Sequence, residues 1–255
     1  MSFLEAPTSI ENVKKTETIF GNNFVTIGGE KLTYRLFSNL TLNKDSLVLE
    51  IGCKLGGTLS YLNDTYNCHC VGLDGNKIYI EHSKKCFDDV EKMNFIHADI
   101  EVYHLPKNHF DFIICRDFLI NIKNKEVLLE KFLRWLKPGG RIFLTVQCNG
   151  NQIDDNYSSY NLEKNLKPIN LYTYVSYLDN LGFENIKIKD NSNLLINSLE
   201  EDLFIFEHNK TNFIEIFNEK EYEEKYEKLF NTKNWCINKN YLWGNINAYK
   251  PLNES

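Results

Sequence analysis

One stretch constrains this chain more than any other. Val48-Leu-Glu-Ile-Gly-Cys-Lys-Leu-Gly-Gly57 is an apolar run that ends in a glycine-rich turn and leads into a helical pattern. A strand that turns through glycine into a helix brings backbone N–H groups close to whatever sits at the helix start. The pattern then repeats. Strands are expected over residues 46–52, 70–74, 94–99, 110–115 and 141–146, with helices over 57–66, 76–87 and 125–136. Pro138-Gly139-Gly140 is expected to stop the third of these helices. Strands separated by helices imply a parallel sheet covered on both faces. Further along, 170–181 reads as a helix and 183–189 alternates like a strand. Residues 194–217 are apolar at near-helical spacing, 219–230 form a charged helix, and 243–249 read as a last strand. The expected fold class is therefore α/β, a Rossmann-like, seven-stranded, mostly parallel sheet.

Composition narrows the classes. The chain has 255 residues, 42% hydrophobic and 25% charged, with a net charge of −6. This is ordinary for a folded domain and speaks against a nucleic-acid footprint or a polybasic membrane patch. No apolar run is long enough to insert in a membrane, and the N-terminus lacks the pattern of a secretory signal. No Pro/Gly/Ser linker divides the sequence, so 1–255 reads as one domain: a lid and helices over 1–43, a cofactor half over 44–150 and a substrate-side half over 151–255. The seven cysteines are an odd, scattered set without a C-x-x-C pair. That fits a reduced, cytoplasmic setting rather than a disulfide framework. Cys68 and Cys70 share one strand face while His69 points away, so they are read as buried thiols and no metal site is expected.

The glycine turn alone does not name a ligand. A dinucleotide fingerprint needs G-x-G-x-x-G, and Gly52-x-Lys54-x-Gly56 fits it poorly, which argues against a dehydrogenase. Asp74 ends the second strand, where a carboxylate can accept both hydroxyls of a ribose. Asp99 ends the third. The helix over 125–136 closes in Trp135-Leu-Lys-Pro-Gly-Gly-Arg141 and runs into a strand.

Together these residues resemble the class I S-adenosyl-L-methionine (SAM)-dependent methyltransferases, with Glu50 as the acidic residue before the turn. Thr18-Ile-Phe-Gly-Asn-Asn-Phe-Val-Thr-Ile-Gly-Gly29, Cys115-Arg-Asp117 and Leu242-Trp-Gly244 narrow the resemblance to the phosphoethanolamine N-methyltransferases. The resemblance implies SAM as cofactor, held by Thr26, Glu50, Gly52, Gly56, Asp74, Gly75, Asp99, Ile100 and Arg116. It implies that the segment before Gly28-Gly29 closes over SAM and that Arg116-Asp117 faces the substrate. Asp117 and position 121 form the catalytic pair, and Gln147, Tyr160 and Lys164 bind a phosphobase.

Several positions depart from that family. The middle glycine of the turn is Lys54, which is expected to turn out to solvent; the other reading pairs it with the methionine carboxylate. A histidine becomes Asn121, which accepts no proton at neutral pH. A tyrosine becomes Gln147 and an arginine Lys164, which keeps charge without the bidentate fork. Another tyrosine becomes Leu166, and the N-terminal catalytic tyrosine has no counterpart near Ser9 or Thr16. His104 and His109 are expected to be exposed loop residues. Tyr172, Tyr174 and Tyr177 are expected to pack rather than cage a quaternary amine, and Trp243 is expected to pack the last strand. Two functions follow: methyl transfer from SAM to a small amine, by resemblance a phosphobase, or a catalytically degenerate relative acting by binding or regulation.

Overall fold

The computed structural model describes residues 9–252. Seven strands, β1 (Leu47–Ile51), β2 (His69–Asp74), β3 (Met93–His97), β4 (Phe110–Arg116), β5 (Leu136–Asn149), β6 (Glu184–Asp190) and β7 (Tyr241–Tyr249), form one sheet in the order β3-β2-β1-β4-β5-β7-β6. β7 runs antiparallel to both its neighbours, and every other pair is parallel. The central strands do not alternate. Val48, Leu49, Ile51 and Phe112 to Cys115 are all fully buried, because helices cover both faces. β6, at the edge, does alternate and carries Lys187, Lys189 and Asp190, charges that discourage pairing with another chain.

Three helical layers meet this sheet. On one face, α5 (Lys125–Trp135) and α7 (Leu171–Asn180) set Leu129, Phe132, Tyr174 and Leu178 on Ile113, Ile142, Leu144 and Ile246. On the other, α2 (Gly29–Phe37), α3 (Gly57–Tyr66) and α4 (Lys77–Cys86) set Phe37, Leu59, Leu62 and Ile80 on Val48, Phe112, Ile114 and Phe143. The third layer stands over β7. There α8 (Ser192–His208), α9 (Lys210–Phe217) and α10 (Glu219–Ile237) pack Leu199, Phe206, Phe213, Tyr222 and Leu229 with Phe20, Phe24 and Ile27. Phe20 ends α1 (Ile10–Phe20), and Phe24 and Ile27 lie in the segment between α1 and α2. α6 (Asp155–Glu163) follows β5, capped by Asp154, whose carboxylate accepts from the Tyr157 N–H.

The expected elements are present, with shifted boundaries. The helix before the Lys-Pro-Gly-Gly turn ends at Trp135, and the strand begins at Leu136. β5 thus runs from 136 to 149, and a register shift between Phe110 and Phe112 absorbs the turn. Asp99 lies two residues beyond the end of β3 rather than at it. The apolar stretch 194–217 divides into α8 and α9, and the charged helix runs on to Ile237. Cys68 and Cys70 are buried with their Sγ atoms 3.7 Å apart, and His69 is exposed. Tyr174 is buried while Tyr172 is exposed, so the three tyrosines do not gather into a cage. His104 and His109 are exposed before β4. Among the described residues no helix is long and apolar enough to cross a membrane.

β1 and β4 are neighbours whose chains leave in opposite directions, one towards β2 and the other towards β5. In an open α/β sheet this switch opens a crevice at the carboxyl ends of the strands. Glu50, Asp74 and Arg116-Asp117 all lie at those ends.

Candidate active site

The turn after β1 is compressed from two sides. Gly52 and Gly56 have φ of 71 and 81. A Cβ on Gly52 would sit 2.7 Å from the Phe118 ring, and one on Gly56 would sit 2.6 Å from Phe95. Lys54 shares the left-handed backbone, at φ 51, which costs a side-chain-bearing residue about 1 kcal/mol. The Asp74 carboxylate holds the turn in place: it accepts from the Lys54 N–H at 3.0 Å and from the Asn76 N–H at 2.8 Å. α3 then starts at Gly57 without a side-chain cap, leaving its first N–H groups open at the crevice.

Charge is concentrated here. Glu50 is 2% exposed, and burial pushes its carboxyl up to about 7, against the opposing pull of Arg116, Thr58 and Lys54. Its Oε2 has no hydrogen-bond partner. Burial also raises Asp74. Arg116 is 5% exposed and donates through one terminal nitrogen to Thr33 Oγ1 at 2.8 Å and Thr58 Oγ1 at 3.0 Å, with its guanidinium over the Phe37 ring. Its Nε is buried without a partner. It shares a strand face with Phe112 and Ile114 and ties α2 to α3. The expectation that Lys54 turns out to solvent is corrected. Its ammonium is half-buried and lies in the field of Asp117, Arg116, Asp74 and Glu50, with burial lowering its pKa.

Asp117 follows β4 in a left-handed conformation, φ 53. Its N–H donates to the Thr145 carbonyl and hydroxyl oxygens at 3.0 and 3.1 Å. Its Oδ1 accepts from the Thr145 hydroxyl at 3.0 Å and from Trp243 Nε1 at 2.7 Å. Trp243 is 1% exposed. It packs the last strand as expected, and it also orients a carboxylate 126 residues earlier in the chain. Sequence reasoning missed Thr145 and the Trp243 hydrogen bond. Only the alternation of β5 and β7 hints at them, by placing Thr145 and Gln147 on one face with Trp243 opposite Gln147.

The other candidate residues are spread around this centre. Gly75 borders open space, and Asp99 is exposed, its Oδ1 accepting from the Glu101 N–H at 2.9 Å; Ile100 is buried beside it. Thr26 lies in the segment joining α1 to α2, where its carbonyl accepts from the Gly29 N–H. That segment packs through Val25, together with Val13 of α1, on Leu55 of the turn and Tyr79 of α4. Its end is tied to α8 by the Gly28 N–H, which donates to Asp202 Oδ2 at 2.9 Å. Gln147 is half-buried on β5. Asn121 is exposed in the short turn Leu119–Asn121, and its amide donates back to the Phe118 carbonyl. Tyr160 and Lys164 stand further off, on the wall of a cleft of about 870 Å³ between α1, α6 and α10. Tyr79 and Val25 reach the same wall from the cofactor side, whereas Asp117 and Gln147 do not.

The donor set suits SAM. Its sulfonium and α-ammonium are cations, and the crevice offers Glu50, Asp74 and Asp117, with Glu50 Oε2 unpartnered. Gly52 and Gly56 let the Phe118 and Phe95 rings close on the turn, and the uncapped start of α3 offers backbone N–H groups to an anion or a polar ligand.

The comparisons with known proteins agree. A methyltransferase-domain model matches residues 49–144. The chain is 32% identical over 216 residues to the phosphoethanolamine N-methyltransferase of Plasmodium falciparum, covering 83% of this chain and 81% of that protein. The chain belongs to the phosphoethanolamine N-methyltransferase family. It is 30% identical to a Triticum aestivum phosphoethanolamine N-methyltransferase over 82% of this chain, which is 42% of that longer protein. In fold it matches the Haemonchus contortus phosphoethanolamine N-methyltransferase 2, solved with phosphomonomethylethanolamine and S-adenosylhomocysteine. The TM-score is 0.91 at 22% identity, over 98% of this chain and 59% of that one. The seven-stranded class I methyltransferase fold read from Glu50 to Gly57 and from the Leu-Lys-Pro-Gly-Gly turn is thus the family fold.

Proposed function

We propose that this chain is a SAM-dependent N-methyltransferase whose acceptor is phosphoethanolamine or its methylated forms. One observation carries the reading: in a member of this family, Asp117 presents a carboxylate fixed by Trp243 and Thr145 beside the glycine turn. When bound, SAM supplies a methyl group already activated by its sulfonium. The chain's own task is to align, to exclude water and to present an unprotonated amine. Glu50, Gly52, Gly56, Asp74, Gly75, Asp99 and Ile100 form the cofactor side, covered by the segment holding Thr26. Asp117 orients the acceptor amine through Oδ2, since Oδ1 already takes two hydrogen bonds. Gln147 lines the acceptor side, and Tyr160 and Lys164 receive the phosphate end. Arg116 ties α2 to α3. Asn121 takes no proton, so it serves at most as a polar wall. The odd, scattered set of seven cysteines supports a reducing, cytoplasmic setting; a tagged chain found in the secretory pathway would count against it.

The test is transfer of label from methyl-labelled SAM to phosphoethanolamine and its mono- and dimethyl forms. Labelled phosphobase is expected, and Asp117→Ala is expected to lower kcat by about 100-fold or more. A chain that binds S-adenosylhomocysteine yet methylates none of the three would overturn the acceptor while leaving the cofactor assignment intact.

A further inference from the structure

Lys54 occupies the middle of the turn on the cofactor side, and its backbone is held at both ends. Its N–H donates to Asp74 Oδ2 at 3.0 Å, and its carbonyl accepts from Ser83 Oγ at 3.2 Å. The side chain therefore starts from a fixed base, and the half-buried residue carries its ammonium in the field of Asp117, Arg116, Asp74 and Glu50. Among the described residues the ammonium makes no hydrogen bond or ion pair, although three carboxylates surround it. The same cluster holds an acceptor without a donor, Glu50 Oε2. An ammonium without a partner and a carboxyl oxygen without a donor in one cluster suit a zwitterion, an α-ammonium next to an α-carboxylate.

We propose that Lys54 recognises the α-carboxylate at the amino-acid end of the cofactor and selects for nucleoside thioethers that carry it. The proposal rests on the methyl-donor reading above. The electrostatics favour a cation at this place. A carboxylate entering the crevice meets Glu50, Asp74 and Asp117, all of its own sign. The other local cation, Arg116, commits one terminal nitrogen to Thr33 and Thr58, while its Nε has no partner. Lys54 is the cation of this cluster that no side chain among the described residues engages. A glycine in its place offers only its backbone N–H, and here that N–H is already engaged with Asp74.

The experiment measures binding by calorimetry to the full chain, with two probes: S-adenosylhomocysteine, and its decarboxylated analogue, which keeps the adenosine, the thioether and the ammonium. The wild-type chain is expected to prefer S-adenosylhomocysteine roughly tenfold or more. Lys54→Met and Lys54→Gly are both expected to lose that preference, with weaker binding of S-adenosylhomocysteine and unchanged or tighter binding of the analogue. Lys54→Gly also relieves the left-handed backbone, so it is expected to melt at or above the wild-type temperature, separating recognition from folding. Variants that bind S-adenosylhomocysteine within about twofold of wild type, or that weaken both probes equally, overturn the proposal. A wild-type chain that binds neither SAM nor S-adenosylhomocysteine overturns the methyl-donor reading itself.

Discussion

Trp243 and Asp117 are 126 positions apart in the chain, yet a 2.7 Å hydrogen bond joins them. A buried N–H on a carboxylate contributes about 1.5–3 kcal/mol when it is charge-assisted. Trp243→Phe keeps a ring in the core and removes that donor. If the bond serves to aim Asp117, kcat should fall between about tenfold and a hundredfold. The affinity for S-adenosylhomocysteine should stay near wild type. Equal losses in cofactor affinity and kcat would instead mean that the ring merely supports the crevice. Asp117 and Lys54 add a second lesson at this scale. Both take left-handed backbone that glycine adopts without penalty, and both put a charge into the same crevice. Strain retained at a side-chain-bearing residue is common where that side chain has a task.

The segment between α1 and α2, which we propose covers the cofactor side, shows how an irregular element is held in place. It has few backbone bonds of its own and is held by its ends: Glu17 Oε1 accepts from the Asn23 N–H at 2.7 Å, and Asp202 accepts from the Gly28 N–H. Gly28 sits at φ 69, and a Cβ there would lie 2.6 Å from Leu32 Cβ and 3.1 Å from Ser198 Cβ. Both neighbours are anchored in helices and cannot move aside cheaply. Gly28→Ala should destabilise the chain by about 1–3 kcal/mol, read as a lower melting temperature. It should also weaken cofactor binding, because the proposed cover is anchored there to Asp202. A variant that melts and binds like wild type would show that this end of the segment is slack.

For the molecule as a whole, two buried carboxyls set an unusual pH dependence. Burial raises Glu50 and Asp202 to about 7 from ordinary values of 4.5 and 3.8. Each folded-state carboxyl keeps its proton to a higher pH than the unfolded chain does. The folded state therefore binds more protons across this window, and stability falls as pH rises from about 4 through 7. The loss is of order 3 kcal/mol for each group and is complete above the folded-state value. In thermal melts without cofactor, Glu50→Gln and Asp202→Asn should each flatten the fall between about pH 5 and 7.5. A wild-type chain whose melting temperature rises steadily over that range would contradict the burial argument. The same melts test the reading of residues 1–255 as one domain, which expects a single cooperative transition.

What the sequence determined by itself was periodicity and turn chemistry. Apolar runs separated by helical spacing specify the α/β sheet. The glycines after Ile51 and the Lys-Pro-Gly-Gly turn specify where the chain must bend, and together they place Glu50, Asp74 and Asp117 at strand ends. Those signals are local, and local sterics read them the same way in any surroundings. Tertiary structure alone decided which partner each charge met. Arg116 was legible as the last residue of β4, but only the packing of α2 and α3 brought Thr33 and Thr58 to its guanidinium. Lys54 was legible as a departure from glycine. Its direction depended on an Asp74 carboxylate twenty residues away that pins its backbone. Trp243 was legible as a buried ring on the last strand, while its donor found Asp117 only because β7 crosses beside β5. Long-range pairings of this kind depend on how whole layers come together, which no window of neighbouring residues encodes.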